Sequence, residues 1–338
     1  MLLQFTNKGI YCTPADVFID PWQPVNKAII THAHSDHARP GNKFYLAHQD
    51  SAEILKYRLG DITLQTLAYH EPVQINGVHI SLHPAGHVKG SAQVRLEYKG
   101  EVWLVSGDYK TRTDGYNIPF EPVRCNHFIT ESTFGLPIYR FPSNENIKAR
   151  MNQWIYQNAN EGFNSVIIGY ALGKAQRILK ALDTELPVLL HTTIYNTNAA
   201  LGFDNSRYIK FTPDFKKETL NPGVVVATAT ALGSPWLRRF EPYRLAICSG
   251  WMQLRGARRR RNADVGFAMS DHADWDGLNE AVLATGAENI YVTHGYKSVF
   301  SKWLREKYGL NAVEIETKFE GESIESESGE VLPEETSE

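Results

Sequence analysis

The sequence predicts an α/β protein built in two different ways along its length, and three observations carry that prediction. The opening stretch is a series of short β-branched or aromatic runs with few helical segments between them. From Ser143 onward, strand-like runs alternate with helix-period segments, the pattern of parallel α/β units. The chain has 338 residues, 42% hydrophobic and 22% charged, enough for a large core and two domains. Collagen, coiled coil and wholesale disorder are excluded by the same composition.

In chain order, Val17–Ile19, Lys27–Thr31, Val78–Leu82, Gln93–Tyr98, Val102–Val105 and Phe128–Thr130 read as strands. Ser143 is a candidate N-cap for a helix with Ile147, Met151, Trp154 and Ile155 on one stripe. Ser165–Tyr170 reads as a buried strand, and Gly173–Leu182 as a helix with Ala175, Ile178, Leu179 and Leu182 inward. Val188–His191, Val224–Thr230 and Leu245–Ser249 are further strands. Neither an internal repeat nor a Pro/Gly-rich linker is readable.

No apolar run reaches 18 residues, and no basic stretch followed by an apolar one opens the chain, so the expectation is a cytoplasmic protein without a membrane partner. Cys12, Cys125 and Cys248 lie far apart with no CxxC spacing, which argues against a disulfide framework or a thiolate metal site and for small buried hydrophobes. The net charge of −3 hides an asymmetry. Residues 320–338 hold eight glutamates and no lysine or arginine, so removing them leaves +5 on the rest. Residues 136–262 hold 18 Lys/Arg against 8 Asp/Glu, a local +10 that suits a polyanion, the alternative being ordinary basic surface. The tail, 319–338, is acidic, Ser-rich and poor in apolar residues, which predicts disorder.

The chemistry begins at Thr31-His32-Ala33-His34-Ser35-Asp36-His37, directly after a predicted strand. In an extended exit His32 and His34 point to one side, while Asp36 and His37 open the following turn toward a second position, so one loop can serve two metals. Three histidines and an aspartate at these offsets should arise by chance in roughly one such sequence in a thousand. Further ligands are needed, and His87, Asp108 and His294 each follow an apolar run and stand beside glycine, where a side chain can reach over a sheet edge. His83 is a competing candidate beside His87.

With these motifs the chain resembles the metallo-β-lactamase superfamily and, within it, the nucleic-acid-processing β-CASP nucleases. His32, His34, Asp36 and His37 match the HxHxDH motif, Asp20 matches an aspartate that supports the metals from behind their ligands, and His87 and Asp108 match the third and fourth motifs. Glu131, His272 and His294 match the three β-CASP signatures. Ser249-Gly250-Trp251-Met252, the run Arg255 to Arg261 and Ser270-Asp271-His272-Ala273-Asp274-Trp275 are similar to the bacterial ligase-associated DNA exonucleases, whereas a histidine at His294 is typical of RNA-cleaving members.

The resemblance implies a metallo-β-lactamase αβ/βα sandwich from residues 1–136 and 263–318, with an α/β β-CASP domain inserted at 137–262. It implies two divalent ions, zinc first and manganese second. His32, His34 and His87 would hold one, Asp36, His37 and His294 the other, and Asp108 would bridge them. The pair would activate a shared water for attack on a phosphodiester, with His272, oriented by Glu131, as acid or transition-state stabiliser. The implied role is a DNA exonuclease in repair, acting on single strands or free ends alongside an ATP-dependent DNA ligase and a helicase. The alternatives are an RNA-processing β-CASP ribonuclease, then a small-molecule metallo-hydrolase such as a lactonase or thioesterase. Phosphate tracking is expected from Lys174 and Arg177 after a glycine turn and from Arg258, Arg259, Arg260 and Arg261, a solvated turn being the other reading of that run. Ser234, in Gly233-Ser234-Pro235-Trp236, could take a terminal phosphate with Trp236 stacking on a base, or the segment could be a turn with a core tryptophan.

Overall fold

The computed structural model describes residues 2–319 apart from 221, 255 and 257–261. Two compact units emerge. The chain leaves the first after Arg140, builds the second over Phe141–Ser270, and re-enters the first at Asp271. These breaks lie a few residues beyond the expected 136/137 and 262/263.

The first unit opens with β1 (Leu3–Phe5), β2 (Ile10–Cys12), β3 (Val17–Ile19), β4 (Lys27–Ile29) and β5 (Phe44–His48), followed by helix α1 (Ala52–Leu59) and β6 (Leu64–Leu67). These strands form one sheet in chain order. The first two pairings are antiparallel and the last three parallel. β4 stops at Ile29, short of the expected Thr31, because the Thr31 amide turns away from the ladder to the Asp20 carboxylate. Next come β7 (Val73–Ile75), β8 (Val78–Pro84), β9 (Ala92–Tyr98), β10 (Glu101–Val105) and β11 (His127–Ser132).

The second unit is a parallel α/β layer. α2 (Asn144–Asn160) is capped by the Ser143 hydroxyl, which accepts from the Asn146 amide. It is followed by β12 (Asn164–Ile168), α3 (Lys174–Ala181), β13 (Val188–Leu190), α4 (Thr192–Ala200), β14 (Ile209–Lys210), β15 (Val224–Ala227), α5 (Pro235–Arg238), β16 (Tyr243–Cys248) and β17 (Val265–Phe267). The sheet order is β14-β13-β15-β12-β16-β17, every pairing parallel. Both faces are covered, so Val166, Ile167 and Ile168 pack alternately into separate apolar clusters. That explains the unbroken apolar runs of these strands.

Back in the first unit, α6 (Trp275–Thr285), β18 (Asn289–Gly295), α7 (Lys297–Tyr308) and β19 (Asn311–Glu314) complete the second sheet, β19-β18-β11-β10-β9-β8-β7. Its inner face meets the first sheet: Ile10, Val17, Ile19 and Ile29 pack with Ile80, Val94, Leu96, Trp103 and Ile129. Leu278, Val282, Phe300 and Leu304, from α6 and α7, cover its outer face with Phe128 and Ile290. This is the expected αβ/βα sandwich with a parallel unit inserted in the chain. Cys12 and Cys248 are buried and Cys125 half-buried, none in a disulfide. Burial pushes the Cys125 thiol up to about 12. Among the described residues no helix is long and apolar enough to cross a membrane. The acidic tail from Glu320 lies outside the described residues.

Candidate metal centre

Loops at the strand ends of the first unit bring the predicted ligands together. The loop after β4 supplies His32, His34, Asp36 and His37, the β8–β9 loop His87, the segment after β10 Asp108, and the end of β18 His294. Donor atoms of His32, His34, His87 and Asp108 lie within 4.8 Å of one another, as do those of His37, Asp108 and His294. Asp108 therefore belongs to both groups. Its Oδ2 is 3.5 Å from Nε2 of both His32 and His37, and its Oδ1 is 3.0 Å from His294 Nε2. His87 Nε2 faces His34 Nδ1 at 3.0 Å. Asp36 stands outside both groups, with Oδ2 3.6 Å from His37 Nε2. Gly107 has φ +57°, and a Cβ there would meet Thr31 Oγ1 at 2.6 Å, so glycine allows Asp108 and the histidine loop to approach.

The imidazoles of His37, His32, His294 and His87 are each aimed by the far nitrogen. His37 Nδ1–H donates to Asp20 Oδ2 at 2.7 Å, and Asp20 also accepts the Thr31 amide at 2.8 Å and the Thr31 hydroxyl at 2.5 Å. With its hydroxyl proton given to Asp20, Thr31 Oγ1 accepts from His32 Nδ1 at 3.0 Å. Thr293 repeats the device: it donates to the Thr130 carbonyl and accepts from His294 Nδ1 at 3.3 Å. His87 Nδ1–H donates to the Asp271 carbonyl at 2.9 Å. In each case Nε2 is left facing the cluster, with its tautomer fixed as metal-ligating histidines require. Thr31 and Thr293 were not singled out from the sequence, although a Thr-His pair at a strand end is a readable signal for this arrangement.

The electrostatics suit a cation. His32 Nε2 and His37 Nε2 are buried and find no hydrogen-bond partner among the described residues. Polar nitrogens left bare at such depth are costly unless a ligand takes them. Burial, reinforced by neighbouring imidazoles, holds His32 and His87 well below the usual histidine range, so both keep a lone pair at neutral pH. Burial also opposes charge on His37, yet Asp108, Asp36 and Asp20 outweigh it and raise that imidazole to about 10. The same carboxylates would favour a divalent ion. Burial pushes the Asp108 carboxyl up, but His37, His294 and His272 more than reverse this and hold it well below the ordinary value. Nitrogen and carboxylate donors without thiolate fit zinc-class or manganese-class ions. Phe319 stacks on the His37 ring at 4.4 Å.

Beside the cluster, His272 Nδ1 lies 2.9 Å from Glu131 Oε2, and Glu131 Oε1 also accepts the Tyr109 amide at 2.8 Å. Both residues are buried, with the His272 ring 4.7 Å from that of His87. His83 points elsewhere, toward Glu121 at 3.2 Å. In the second unit Lys174 and Arg177 are buried rather than displayed on a solvated face; the Lys174 ammonium lies 5.1 Å over the Tyr170 ring. Ser234 caps α5 by accepting from the Leu237 amide, and the half-buried Trp236 packs with His191, Phe211 and Phe240 in an aromatic cluster. Arg258, Arg259, Arg260 and Arg261 lie outside the described residues.

No family model matches the chain. A protein named "Probable DNA ligase" from Opitutus terrae is 31% identical over 311 residues, 90% of this chain and 30% of that protein. "Endoribonuclease YSH1" of Saccharomyces cerevisiae is 32% identical over 122 residues, 36% of this chain and 15% of its own length. "Cleavage and polyadenylation specificity factor subunit 3" of Dictyostelium discoideum is 31% identical over 141 residues, 40% of this chain and 18% of its own. The chain thus spans less than a third of each of these relatives. A solved structure described as a protein of unknown function from Enterococcus faecalis V583 shares the fold, with a TM-score of 0.59 at 11% identity, covering 86% of this chain and 79% of that one. A ligase-named relative matching nearly the whole chain, and an endoribonuclease-named relative matching more than a third of it, agree with the motif residues gathered around Asp108: the chain is homologous to these proteins and, with its His/Asp cluster, resembles the β-CASP nucleases of the metallo-β-lactamase superfamily.

Proposed function

We propose that this chain is a metal-dependent phosphodiesterase that degrades DNA from a free end during repair. The observation that carries the reading is the pair of donor groups sharing Asp108, with the buried Glu131–His272 pair alongside. His32, His34 and His87 would hold one divalent ion, and Asp36, His37 and His294 the other, zinc first and manganese second, with Asp108 common to both. When bound, two such ions supply positive charge for the non-bridging phosphate oxygens and acidify water at neutral pH. Asp20 and the two Thr-His pairs keep the lone pairs of His37, His32 and His294 aimed inward. His272, its Nδ1–H given to Glu131, carries the Nε2 proton that a departing alkoxide needs, and Glu131 stabilises the imidazolium before that transfer.

DNA is favoured over RNA because the relative named for DNA ligation aligns over 90% of the chain, whereas those named as endoribonucleases align over 36–40%. That relative also motivates coupling to an ATP-dependent DNA ligase, with a helicase as further partner. The +10 segment would hold the phosphodiester backbone, and among its exposed members Arg238 and Arg239 are placed to meet solvent. The deciding experiment is digestion of end-labelled single-stranded DNA and RNA of matched sequence with Zn, Mn or Mg. Loss of single nucleotides from DNA supports the reading. Turnover of RNA alone would make the chain an RNA-processing enzyme, and hydrolysis confined to lactones or thioesters would remove it from nucleic-acid chemistry.

A further inference from the structure

His70, His83 and Glu121 form a separate group of donors in the first unit, with ligand atoms within 4.8 Å of one another. All three backbones hang on one short stretch of β8. The His70 amide donates to the Leu82 carbonyl at 2.8 Å, and its neighbour Tyr69 bridges to the same residue. His83 is the next residue, paired with Gln93 of β9. The Glu121 amide donates to the Pro84 carbonyl at 3.1 Å, and the Glu121 carbonyl accepts from Gln93 Nε2 at 2.7 Å. Residues distant in sequence are thereby fixed to three consecutive positions, and His70 reaches its place through left-handed backbone, φ +66°.

The side-chain spacing suits a tetrahedral ion. His83 Nδ1 lies 3.2 Å from Glu121 Oε1, and His70 Nε2 lies 3.2 Å from Glu121 Oε2. Ligand bonds of about 2.0–2.1 Å in a tetrahedron place donor atoms roughly 3.3 Å apart, the spacing of each nitrogen from its own oxygen of the Glu121 carboxylate, with one atom from every residue within 4.8 Å of the others. The two rings stand nearly perpendicular with centroids 4.8 Å apart, so both can direct a nitrogen at one point without stacking. His83 Nε2 is 3.0 Å from Ser81 Oγ, which can accept its proton and so leave Nδ1 as the donor. Arg95, the opposing charge nearby, is engaged by Glu97 at 2.7 Å.

We propose that His70, His83 and Glu121 bind one zinc-class divalent cation at a structural site distinct from the Asp108 cluster. Three protein donors leave a fourth position for water, reachable because the His70 side chain is 54% exposed. The ion would clamp the Phe120–Glu121 segment to β8. That segment braces the loop bearing His87: a Cβ on Gly86 would meet the Phe120 amide nitrogen at 3.0 Å. Occupancy would therefore stiffen the approach to a principal ligand without touching the reaction.

The test is zinc stoichiometry on the full chain, using Zn2+ alone in metal-buffered solution followed by elemental analysis. His70→Asn removes the imidazole while asparagine tolerates left-handed backbone, and Glu121→Gln removes the charge without altering the fold. Each should bind one zinc equivalent fewer than wild type, or bind that equivalent at least tenfold more weakly. In an Asp108→Ala background, added Zn2+ should still raise the melting temperature, and His70→Asn should abolish that rise. Equal stoichiometry and affinities within twofold for wild type and both variants overturn the proposal. So does a zinc-induced melting shift unaffected by His70→Asn. Neither readout depends on nuclease activity.

Discussion

Replacing Asp20 by asparagine isolates tautomer control from packing. Asp20 sits in left-handed backbone at φ +42°, a conformation asparagine accepts as readily, so the substitution costs no backbone strain. Its Oδ1 accepts the Thr31 amide, while Oδ2 alone accepts both the Thr31 hydroxyl and His37 Nδ1–H. An amide oriented to keep the first bond turns NH2 toward two donors; flipped, it turns NH2 toward a buried backbone N–H. Escape requires Thr31 to donate to His32 Nδ1, or His37 to lose its Nδ1 proton, and either moves an N–H onto the nitrogen facing the cluster. Each donor left unsatisfied in this buried site costs about 1–3 kcal/mol. Disturbing such outer partners typically costs 10–100-fold in metal affinity, about 1.4–2.7 kcal/mol. We expect a loss of that size for the ion bound by His37, measured as metal content against buffered free zinc, with a melting temperature lowered in the metal-free chain. Affinity within twofold of wild type, at unchanged turnover, would show that Asp20 does not set the tautomers.

Asp108→Ala should empty both positions of the cluster and drop nuclease turnover by several orders of magnitude, because one carboxylate serves both donor groups; elemental analysis with an end-labelled DNA assay checks this. His272→Ala should keep both cluster ions and DNA binding but lose about 10²–10⁴ in rate, and loss of an ion would reassign His272 as a ligand. In the metal-free chain the raised His37 contributes stability that is full below about pH 6.5 and disappears as pH climbs through about 10. The depressed Asp108 works in the opposite direction, its contribution present above pH 4 and lost on acidification, so urea midpoints should fall toward both extremes. Replacing Arg258, Arg259, Arg260 and Arg261 by alanine should flatten the salt dependence of single-strand binding by a log–log slope of about 0.7 per lost phosphate contact, leaving metal content unchanged; an identical slope would make the run a solvated turn.

The ligand set was legible because its chemistry is local. Three histidines and an aspartate within six positions, and single His or Asp residues where apolar runs end at glycine, mark a metal site without any knowledge of the fold. What aims those ligands was less legible. Thr31 and Thr293 act through hydroxyls whose meaning depends on Asp20 and on the Thr130 carbonyl, partners distant in sequence. β1, β2 and β7 span three residues each, too short to show a period, whereas β3, equally short, is readable because Val17-Phe18-Ile19 is an unbroken run of β-branched and aromatic residues. On the sequence His87 is the expected ligand and His83 the decoy beside it. Their difference is positional: His83 still belongs to β8 and is held in its ladder, whereas His87 lies in the loop beyond, where Gly86 at φ +75° redirects the chain toward Asp108.

The cluster and its proposed acid are coupled through a single peptide unit. Asp108 supplies the shared carboxylate, and the amide of the next residue, Tyr109, donates to Glu131, which in turn holds His272. The Tyr109 ring is fully buried among Phe120 and Phe128, and its hydroxyl is bonded to Thr130 on the strand that carries Glu131. Displacing Asp108 therefore moves a donor that Glu131 needs, while a Tyr109 anchored at its far end limits how far that movement can go. A carboxylate whose two oxygens face different histidines is drawn both ways, and the anchored neighbour resists the resulting shift. Rigidity at Tyr109 is thus what allows one side chain to serve two groups of donors while the Glu131–His272 pair stays aligned with both.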